Sequence, residues 1–442
     1  MPTHPKGLIL AAANSNSGKT TLSLGLQRLF KRKGIDISPA KCGPDYIDPV
    51  FHEIASGRTS INLDPWAMSL IDVQMRARSH VPQGEALFVE GVMGLFDGAA
   101  GGRGSTASLA QMLNLPIILV LDVKGQAQTA AAIAQGIKAY DRSLTIAGVL
   151  LNRVGSMSHE LLLREAFSDM DMPVVGAVRK SDALELPSRH LGLVQAEELK
   201  ELDRIIDGIA DHMEPDINFD AIVEIAHRDR PRSDNVSLLE TALKRLPPLG
   251  KHIAIARDEA FSFIYSHILD DWWHQGAEIS FFSPLRNQMP SMQADAIYLP
   301  GGYPELHLSA LEEANYFKIS MQQAANRNVL IYGECGGYMV LGQSIVSKHG
   351  EVVPMLDLLP LQTSFEKRRL SLGYRQVSHD SALPFGQQLT AHEFHYATVL
   401  WQDETDALFE ATNASGKPLP PMGQRVGTVH GSFAHVIAPT GR

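Results

Sequence analysis

Apolar runs alternate with helix-like segments through the first part of the chain. GLILAAA, ALFVEGVMG, PIILVLDV and IAGVLLNRV are almost continuously apolar, and KTTLSLGLQRLFKRKG, directly after the first of them, has a helical pattern. Apolar strands separated by helices are typical of a parallel sheet covered on both faces. We therefore predict a parallel α/β domain over residues 1–190.

The pattern changes after this region and then resumes. Residues 191–247 lack strand character: AEELKELDRIIDGIADHM is helical, whereas RDRPRSD and RLPPLG resemble loops. Beyond them KHIAIA, AEISFFSP, ADAIYLPGG and NVLIYGECGG indicate strands, and SFIYSHILDDWWHQG indicates a helix. We expect a helical and loop linker over 191–247 and a second α/β domain over 248–442.

Length and composition agree with two globular domains. The chain has 442 residues, which is too many for one ordinary core. Hydrophobic residues make up 44% and charged residues 20%, as in soluble globular proteins. There is no uninterrupted apolar run of membrane-spanning length, so we expect no membrane partner.

Charge and cysteine content narrow the partners and the compartment. A net charge of −10 argues against nucleic acid as the main partner, although a local basic pocket could still bind a small anion. The two cysteines, Cys42 and Cys335, cannot form a disulfide framework. A reducing cytoplasm is therefore expected.

The segment ANSNSGKT, residues 13–20, predicts a phosphate-binding loop between a strand and a helix. The pattern G-x-x-x-x-G-K-[ST] has Ala13 in place of its first glycine, but the rest is intact. Backbone N–H groups would face the phosphates, with Lys19 at the β- and γ-phosphates and the Thr20 hydroxyl on Mg²⁺. The alternative is a turn that only caps the helix. The predicted ATP-binding residues here are Asn16, Ser17, Gly18, Lys19, Thr20 and Thr21.

Four carboxylates fall where strands should end. KCGPDYIDP contains Asp45 and Asp48, and ALFVEGVMGLFDG contains Glu90 and Asp97. Glu90 directly follows an apolar run, which places it at the carboxyl edge of the sheet, where such sites form. Because Mg²⁺ takes one or two carboxylates beside phosphate oxygens and water, the four cannot all be ligands. We select Thr20, Asp45, Asp48 and Glu90 as candidate ligands; a helix cap or turn is the alternative for each carboxylate.

A glycine-flanked cysteine indicates a second chemistry. GECGG fits the cysteine form of the nucleophile elbow, a sharp strand-to-helix turn that exposes the sulfur of Cys335. A buried structural cysteine is the alternative. His435 is the candidate base and His430 its rival. Gly301 and Gly302 in YLPGGYPE could supply N–H groups to an oxyanion.

The cysteine elbow, the GGYPE turn and the late histidine resemble a class I glutamine amidotransferase domain. In that family the cysteine attacks the side-chain amide of glutamine and releases ammonia. Many members carry a glutamate two residues after the histidine, but here His435 and Val436 are followed by no such glutamate. The departure implies a Cys–His dyad or a third member from elsewhere.

Nearly the whole chain resembles the cobyrinic acid a,c-diamide synthases and their hydrogenobyrinic acid counterparts. The shared motifs are SGKTTLSLGL, KCGPDYIDPVFH, NLDPWAMS, VEGVMGLFDG, LNRVGS, PSRHLGLV, PGGYPEL, GECGGYMVLG, LGYRQV, HEFHYA and GSFAH. The family's GSFxH motif favours His435 over His430, and the N-terminal domain resembles dethiobiotin synthetase. The resemblance implies amidation of the a and c carboxylates of a corrin polycarboxylate through acyl phosphates, with ATP, Mg²⁺ and L-glutamine.

The resemblance also suggests further contacts. Asn152 in LLNRV could meet the adenine ring. Candidate contacts to the polycarboxylate are Asp97, Arg189, His190 and Arg375. Lys367, Arg368 and Arg369 could join them or form a solvated charged face. We interpret His392 and His395 in HEFHY as packing or substrate contacts rather than zinc ligands.

Other functions stay open. A partitioning-type ATPase would explain residues 7–190 only, and the loop lacks the early second lysine usual in that class. A plain glutaminase would explain 248–442 only. A homologue acting on nickel-sirohydrochlorin is the nearest rival, and the sequence leaves open whether the chain forms a homodimer.

Overall fold

A computed structural model describes residues 5–181, 184, 188–189, 192–193, 201–229, 243–403 and 406–440, with only the backbone described at 188–189 and 192–193. The chain divides into two compact units, Met1–Leu243 and Lys244–Arg442. None of the helices in the described part is both long and apolar enough to cross a membrane.

The first unit is built on a parallel sheet. Its strands are β1 (Gly7–Ala12), β2 (Ile37–Cys42), β3 (Ile61–Leu63), β4 (Ala86–Glu90), β5 (Ile117–Asp122), β6 (Ile146–Val154) and β7 (Val174–Arg179). Their order is β3-β2-β4-β1-β5-β6-β7, and every pairing is parallel. The predicted parallel sheet is therefore confirmed. A short hairpin, β8 (Ser188–Arg189) with β9 (Gly192–Leu193), follows it.

Eight helices accompany this sheet in the described residues. They are α1 (Lys19–Arg32), α2 (Asp48–Ser56), α3 (Leu70–His80), α4 (Thr106–Leu113), α5 (Gln128–Tyr140), α6 (Met157–Phe167), α7 (Leu202–Met213) and α8 (Phe219–His227). Helices α7 and α8 fall in the segment expected to be a linker. Their apolar faces, including Ile209, Met213 and Ile222, are buried in one cluster with residues of α1 and the sheet. Residues 202–227 thus help to build the first unit's core.

The second unit contains a six-stranded sheet with one antiparallel edge strand. Its strands are β10 (His252–Ala256), β11 (Glu278–Phe282), β12 (Ala296–Leu299), β13 (Leu330–Glu334), β22 (Gln424–Val426) and β23 (Val429–Ser432), in the order β11-β10-β12-β13-β23-β22. Only the pairing of β22 with β23 is antiparallel. The helices are α9 (Ser266–His274), α10 (Leu308–Glu313), α11 (Asn315–Asn326) and α12 (Gly336–Leu341). The predicted second α/β fold is confirmed.

The same unit holds two further sheets that the α/β pattern did not predict. The strands are β14 (Ser344–Val346), β15 (Val352–Pro354), β16 (Leu361–Ser364), β17 (Ser371–Ser378), β18 (Gln388–His395), β19 (Thr398–Gln402), β20 (Phe409–Asn413), β21 (Pro418–Met422) and β24 (Ala434–Pro439). They form sheets of order β15-β14-β16-β19 and β21-β20-β17-β18-β24. The chain passes at Phe433 from β23 in the six-stranded sheet to β24, and this change of sheet places His435 opposite His392 of β18.

Candidate active sites

The loop between β1 and α1 has the conformation that a phosphate site needs. Gly18 has a φ of 81°, in the left-handed region that favours glycine. A Cβ atom added there would lie 2.3 Å from Asn152 Nδ2, so a larger residue does not fit. Asn152 Nδ2 donates a hydrogen bond to Ser17 O at 2.8 Å. Strand β6 therefore holds the loop against the start of α1.

A cavity lies beside this loop. It is lined by Gly18, Thr21, Leu22, Asn152, Arg153, Lys180, Ser181 and Leu184. Arg153 Nη1 donates to Asn16 O at 3.0 Å, and Thr21 Oγ1 donates to Leu184 O at 3.2 Å. Asn152 is thus both a support of the loop and a wall of the cavity. Its contact with an adenine ring stays a prediction.

Glu90 is the centre of a buried polar cluster at the end of β4. Its Oε1 accepts hydrogen bonds from Thr20 Oγ1 at 2.6 Å and from Lys41 Nζ at 2.8 Å. Its Oε2 lies 2.7 Å from His52 Nε2. Lys41 also pairs with Asp48. Sequence reasoning missed both Lys41 and His52, although each stands in the KCGPDYIDPVFH motif.

The charges of this cluster determine its protonation. Burial would raise the pKa of Glu90, but Lys41 and His52 hold it well below the usual range. Burial, together with the negative Asp45, raises the pKa of Asp48 to about 6. Burial and the positive Lys41 lower the pKa of Lys19. The negative charge of a bound phosphate would raise the pKa of Lys19 again, because it stabilises the ammonium form. The site is therefore electrostatically suited to a phosphate.

The oxygen donors present fit Mg²⁺ in part. Thr20 and Glu90 offer adjacent hard oxygen atoms, which suits a site that completes its shell with phosphate and water. Asp45 has another task, because its Oδ1 accepts from the backbone N–H groups of Ile47 and Asp48 at the start of α2. Within the described residues, no three His, Cys, Asp or Glu side chains gather around a metal position. The ligand set stays a prediction, with Thr20 and Glu90 best placed.

The predicted polycarboxylate contacts are dispersed along the chain. Asp97 is exposed, and its Oδ2 accepts from Gly94 N at 3.1 Å. The side chain of Arg189 and all of His190 lie outside the described residues. Arg375 belongs to the second unit, where its guanidinium binds Glu393 Oε2 at 2.7 and 2.9 Å. The side chains of Lys367, Arg368 and Arg369 are exposed.

Cys335 occupies the sharp turn between β13 and α12. Its φ of 48° and ψ of −104° are strained for a residue with a side chain. The neighbouring glycines are required by close packing, since a Cβ atom on Gly337 would lie 1.9 Å from Leu299 O. Cys335 N donates to Ser432 O at 2.8 Å, which fixes the turn against β23. This geometry is that of a nucleophile elbow.

Gly301 brings the candidate base and the cysteine together. A Cβ atom on Gly301 would lie 3.2 Å from His435 Nε2 and 3.3 Å from Cys335 Cβ, so all three groups surround one point. Gly302 lies beside them, with its N atom 3.0 Å from a Cβ position on Gly336. His430 has a different setting, with Nδ1 3.2 Å from Thr428 O. The placement favours His435 over its rival.

Burial favours the neutral form of both members of this pair. The exposed fractions are 3% for Cys335 and 0% for His435. Burial raises the pKa of the Cys335 thiol, and Glu305 adds to the effect. Burial, with His392 and His395, lowers the pKa of His435 to about 3. A thiolate and imidazolium pair at these two residues would therefore need stabilisation from groups nearby.

Two polar groupings in the second unit were missed from the sequence. Glu334, directly before the cysteine, accepts hydrogen bonds from Tyr298 and Tyr332. Glu393 binds Arg375 and lies 2.9 Å from His395 Nε2. His395 stacks on Phe433 with ring centroids 3.8 Å apart, which agrees with its interpretation as a packing residue. A glutamate at the end of the apolar strand LIYGE was the signal for the first grouping.

Comparisons with known proteins cover both units. Residues 8–194 match the CobQ/CobB/MinD/ParA nucleotide binding domain, and residues 252–441 match the CobB/CobQ-like glutamine amidotransferase domain. A hydrogenobyrinate a,c-diamide synthase from Brucella anthropi is 48% identical over 433 residues, which are 98% of each chain. The chain belongs to the hydrogenobyrinate a,c-diamide synthase family. Members from Brucella abortus and a Sinorhizobium species are 49% and 48% identical over 98% of this chain and 98% and 99% of theirs.

Family membership confirms the resemblance found in the motifs. This chain joins a nucleotide-binding domain to a glutamine amidotransferase domain. Together the two domains indicate a ligase that takes its amide nitrogen from glutamine. A partitioning ATPase would account for the first match alone, and a plain glutaminase for the second alone.

Proposed function

We propose that this chain amidates the a and c carboxylates of cobyrinic or hydrogenobyrinic acid in cobalamin biosynthesis, as a cytoplasmic enzyme that uses ATP and glutamine. The observation that carries the proposal is similarity over 98% of the chain to hydrogenobyrinate a,c-diamide synthases. Two sites of different chemistry support it: the phosphate loop of the first unit and the cysteine elbow of the second.

The first site would activate the carboxylate. A carboxylate is a poor electrophile at neutral pH, and transfer of the γ-phosphoryl group of ATP converts it to an acyl phosphate. Lys19 and the N–H groups of the loop would bind the phosphates and stabilise the charge of the moving group. Mg²⁺, held by Thr20 and Glu90, would neutralise charge on the same oxygens. Ammonia then displaces phosphate and forms the amide.

The second site would supply ammonia. His435 would take the thiol proton of Cys335, and the thiolate would attack the side-chain amide of glutamine. Backbone N–H groups at Gly301 and Gly302 would stabilise the oxyanion. The proton passes to the departing nitrogen, which leaves as ammonia, and water hydrolyses the remaining thioester to glutamate and free Cys335.

The proposal is tested by the dependence of ATP turnover on the acid substrate. Purified protein should show glutamine-dependent ADP formation only when a corrinoid polycarboxylate is present, with two amide groups formed per product. Cobyrinic acid, hydrogenobyrinic acid and nickel-sirohydrochlorin should be assayed in parallel. Turnover with nickel-sirohydrochlorin alone would reject the corrinoid assignment, and ATP turnover without any acid would favour a simple ATPase.

Substitution of Glu90 tests the metal assignment. Glu90→Gln keeps the shape of the side chain but removes the negative charge of the carboxylate that Thr20, Lys41 and His52 contact. We expect amidation to fall by roughly 10–100-fold, with partial recovery at high Mg²⁺. The measurement is the amidation rate as a function of Mg²⁺ concentration, with ammonium chloride as the nitrogen source.

Asp45→Asn is the matched control for this experiment, because Asp45 caps the start of α2. Its Mg²⁺ dependence should match that of the unsubstituted protein. Melting temperatures must accompany both rates, since removing one partner of a buried ion pair costs about 3–5 kcal/mol. An unchanged rate and Mg²⁺ dependence in Glu90→Gln would show that Glu90 is not part of the metal site.

A further inference from the structure

We propose that Glu334 is the third member of the glutaminase site, a positioning residue that orients His435 toward Cys335. This inference rests on the proposed function of the Cys335–His435 pair. It assigns the acidic partner that the sequence around His435 lacks.

The carboxylate of Glu334 lies next to the histidine and binds its strand. Glu334 Oε2 is 3.8 Å from His435 Nδ1, which is longer than a hydrogen bond and becomes an ion pair only when His435 is protonated. Glu334 Oε1 accepts a hydrogen bond from Val436 N at 3.0 Å, although the two residues are 102 positions apart. The carboxylate therefore fixes the backbone immediately after His435 and lies nearest Nδ1, whereas Nε2 lies near the Cβ position of Gly301 that Cys335 also approaches.

The other groups facing Glu334 are hydroxyls. Tyr298 of β12 donates to Oε2 at 2.6 Å, and Tyr332 of β13 donates to Oε1 at 3.0 Å. Glu334 has an exposed fraction of 2%, and this burial raises its pKa to about 7, while the hydrogen bonds from Tyr298, Val436 and Tyr332 act in the opposite direction. Cys335 and His435 are its reactive neighbours. Apart from these residues, the described contacts bring no charged group to the carboxylate, so no basic side chain neutralises it.

The sequence explains why a glutamate is useful at this position. Other amidotransferases place a glutamate two residues after the histidine, but this chain has Ile437 there, with an exposed fraction of 1%. An apolar side chain has no atom that can accept a hydrogen bond from an imidazole N–H. Strand β13 ends between β12 and β23, and its last residue delivers a carboxylate to the same histidine from a different part of the chain.

The geometry assigns a simple chemical task to this contact. A carboxylate facing Nδ1 favours the tautomer in which Nδ1 carries the proton, and this leaves the Nε2 lone pair free to take the proton of Cys335. When His435 becomes positively charged, the same carboxylate stabilises it. Such contacts are commonly long in ligand-free structures and shorten when substrate binds.

The decisive variant is Glu334→Gln in the full chain, since it keeps the shape and removes the charge. We expect kcat for glutamine hydrolysis to fall by about 10²-fold, with KM for glutamine nearly unchanged. Alkylation of Cys335 by iodoacetamide should become slower, because His435 then takes the thiol proton less readily. Amidation with ammonium chloride should keep its rate. Glu410→Gln is the matched control, because Glu410 is exposed on β20 and its replacement should change neither kcat nor the alkylation rate.

The outcomes separate this inference from the proposed function. If folded Glu334→Gln keeps the kcat for glutamine hydrolysis and the rate of Cys335 alkylation of the unsubstituted protein, Glu334 has a structural role only and the inference is overturned. If that variant does not fold, Glu334→Asp is used instead, because its shorter side chain keeps the charge but places it farther from His435. An unchanged kcat in Glu334→Asp would also overturn the inference. If Cys335→Ala still hydrolyses glutamine, the proposed glutaminase site itself is wrong.

Discussion

Replacing Cys335 with alanine is expected to abolish glutamine-dependent amidation and to leave ammonia-dependent amidation intact. The thiol is the group proposed to attack glutamine, and it belongs to the second unit, whereas the phosphate loop belongs to the first. Ammonia attacks an acyl phosphate without help from a thiol. Rescue by ammonium chloride should improve as the pH rises, because more of the salt is then present as free ammonia.

Product formation with glutamine and with ammonium chloride should be measured for Cys335→Ala, His435→Gln and His430→Gln. His435→Gln should lower the glutamine rate by about 10²–10⁴-fold, the usual contribution of a general base. His430→Gln is its matched control and should retain that rate, because the geometry around Gly301 places His435 with the cysteine. Loss of both nitrogen sources in folded Cys335→Ala would show that the two sites do not act independently.

Local signals made much of this fold and of the site predictable. The strand before the loop and the helix after it were indicated by GLILAAA and by KTTLSLGLQRLFKRKG, and both are present as β1 and α1. The turn at Cys335 was also predictable, because its flanking glycines indicate a turn, and a Cβ atom does not fit at these glycine positions. In each case the residues that determine the structure are neighbours along the chain.

What could not be predicted depends on residues that meet only after folding. Glu334 reaches the strand of His435 across 102 positions, and Lys41 reaches Glu90 across 49. The two further sheets of the second unit, one mixed and one antiparallel, were missed because their strands lack clear alternation. In SLGYRQVS of β17, for example, only Val377 is buried. Helix α7 was recognised as a helix, but its place in the first core follows from contacts with α1, such as those between Arg28 and Asp203 and Asp207.

Replacing Lys19 with alanine is expected to abolish amidation with either nitrogen source. Lys19 begins α1 at the phosphate loop, and its Nζ lies 3.5 Å from Met93 O, just beyond the end of β4. Burial and Lys41 lower the pKa of Lys19, so the negative charge of a bound triphosphate would stabilise its ammonium form. Losing this contact to the transferring phosphoryl group should reduce the rate by on the order of 10³-fold or more, which corresponds to about 4 kcal/mol in the activation barrier.

The pattern of losses distinguishes Lys19 from Cys335. Lys19→Ala should fail with ammonium chloride as well as with glutamine, because no acyl phosphate forms, and its hydrolysis of glutamine should remain measurable. Cys335→Ala should show the opposite pattern. Lys31→Ala is the matched control, since Lys31 is exposed in the last turn of the same helix and should keep the normal rate of ADP formation. Near-normal amidation by Lys19→Ala would show that the phosphate loop does not take part in the reaction, whatever the geometry of Gly18 and Thr20.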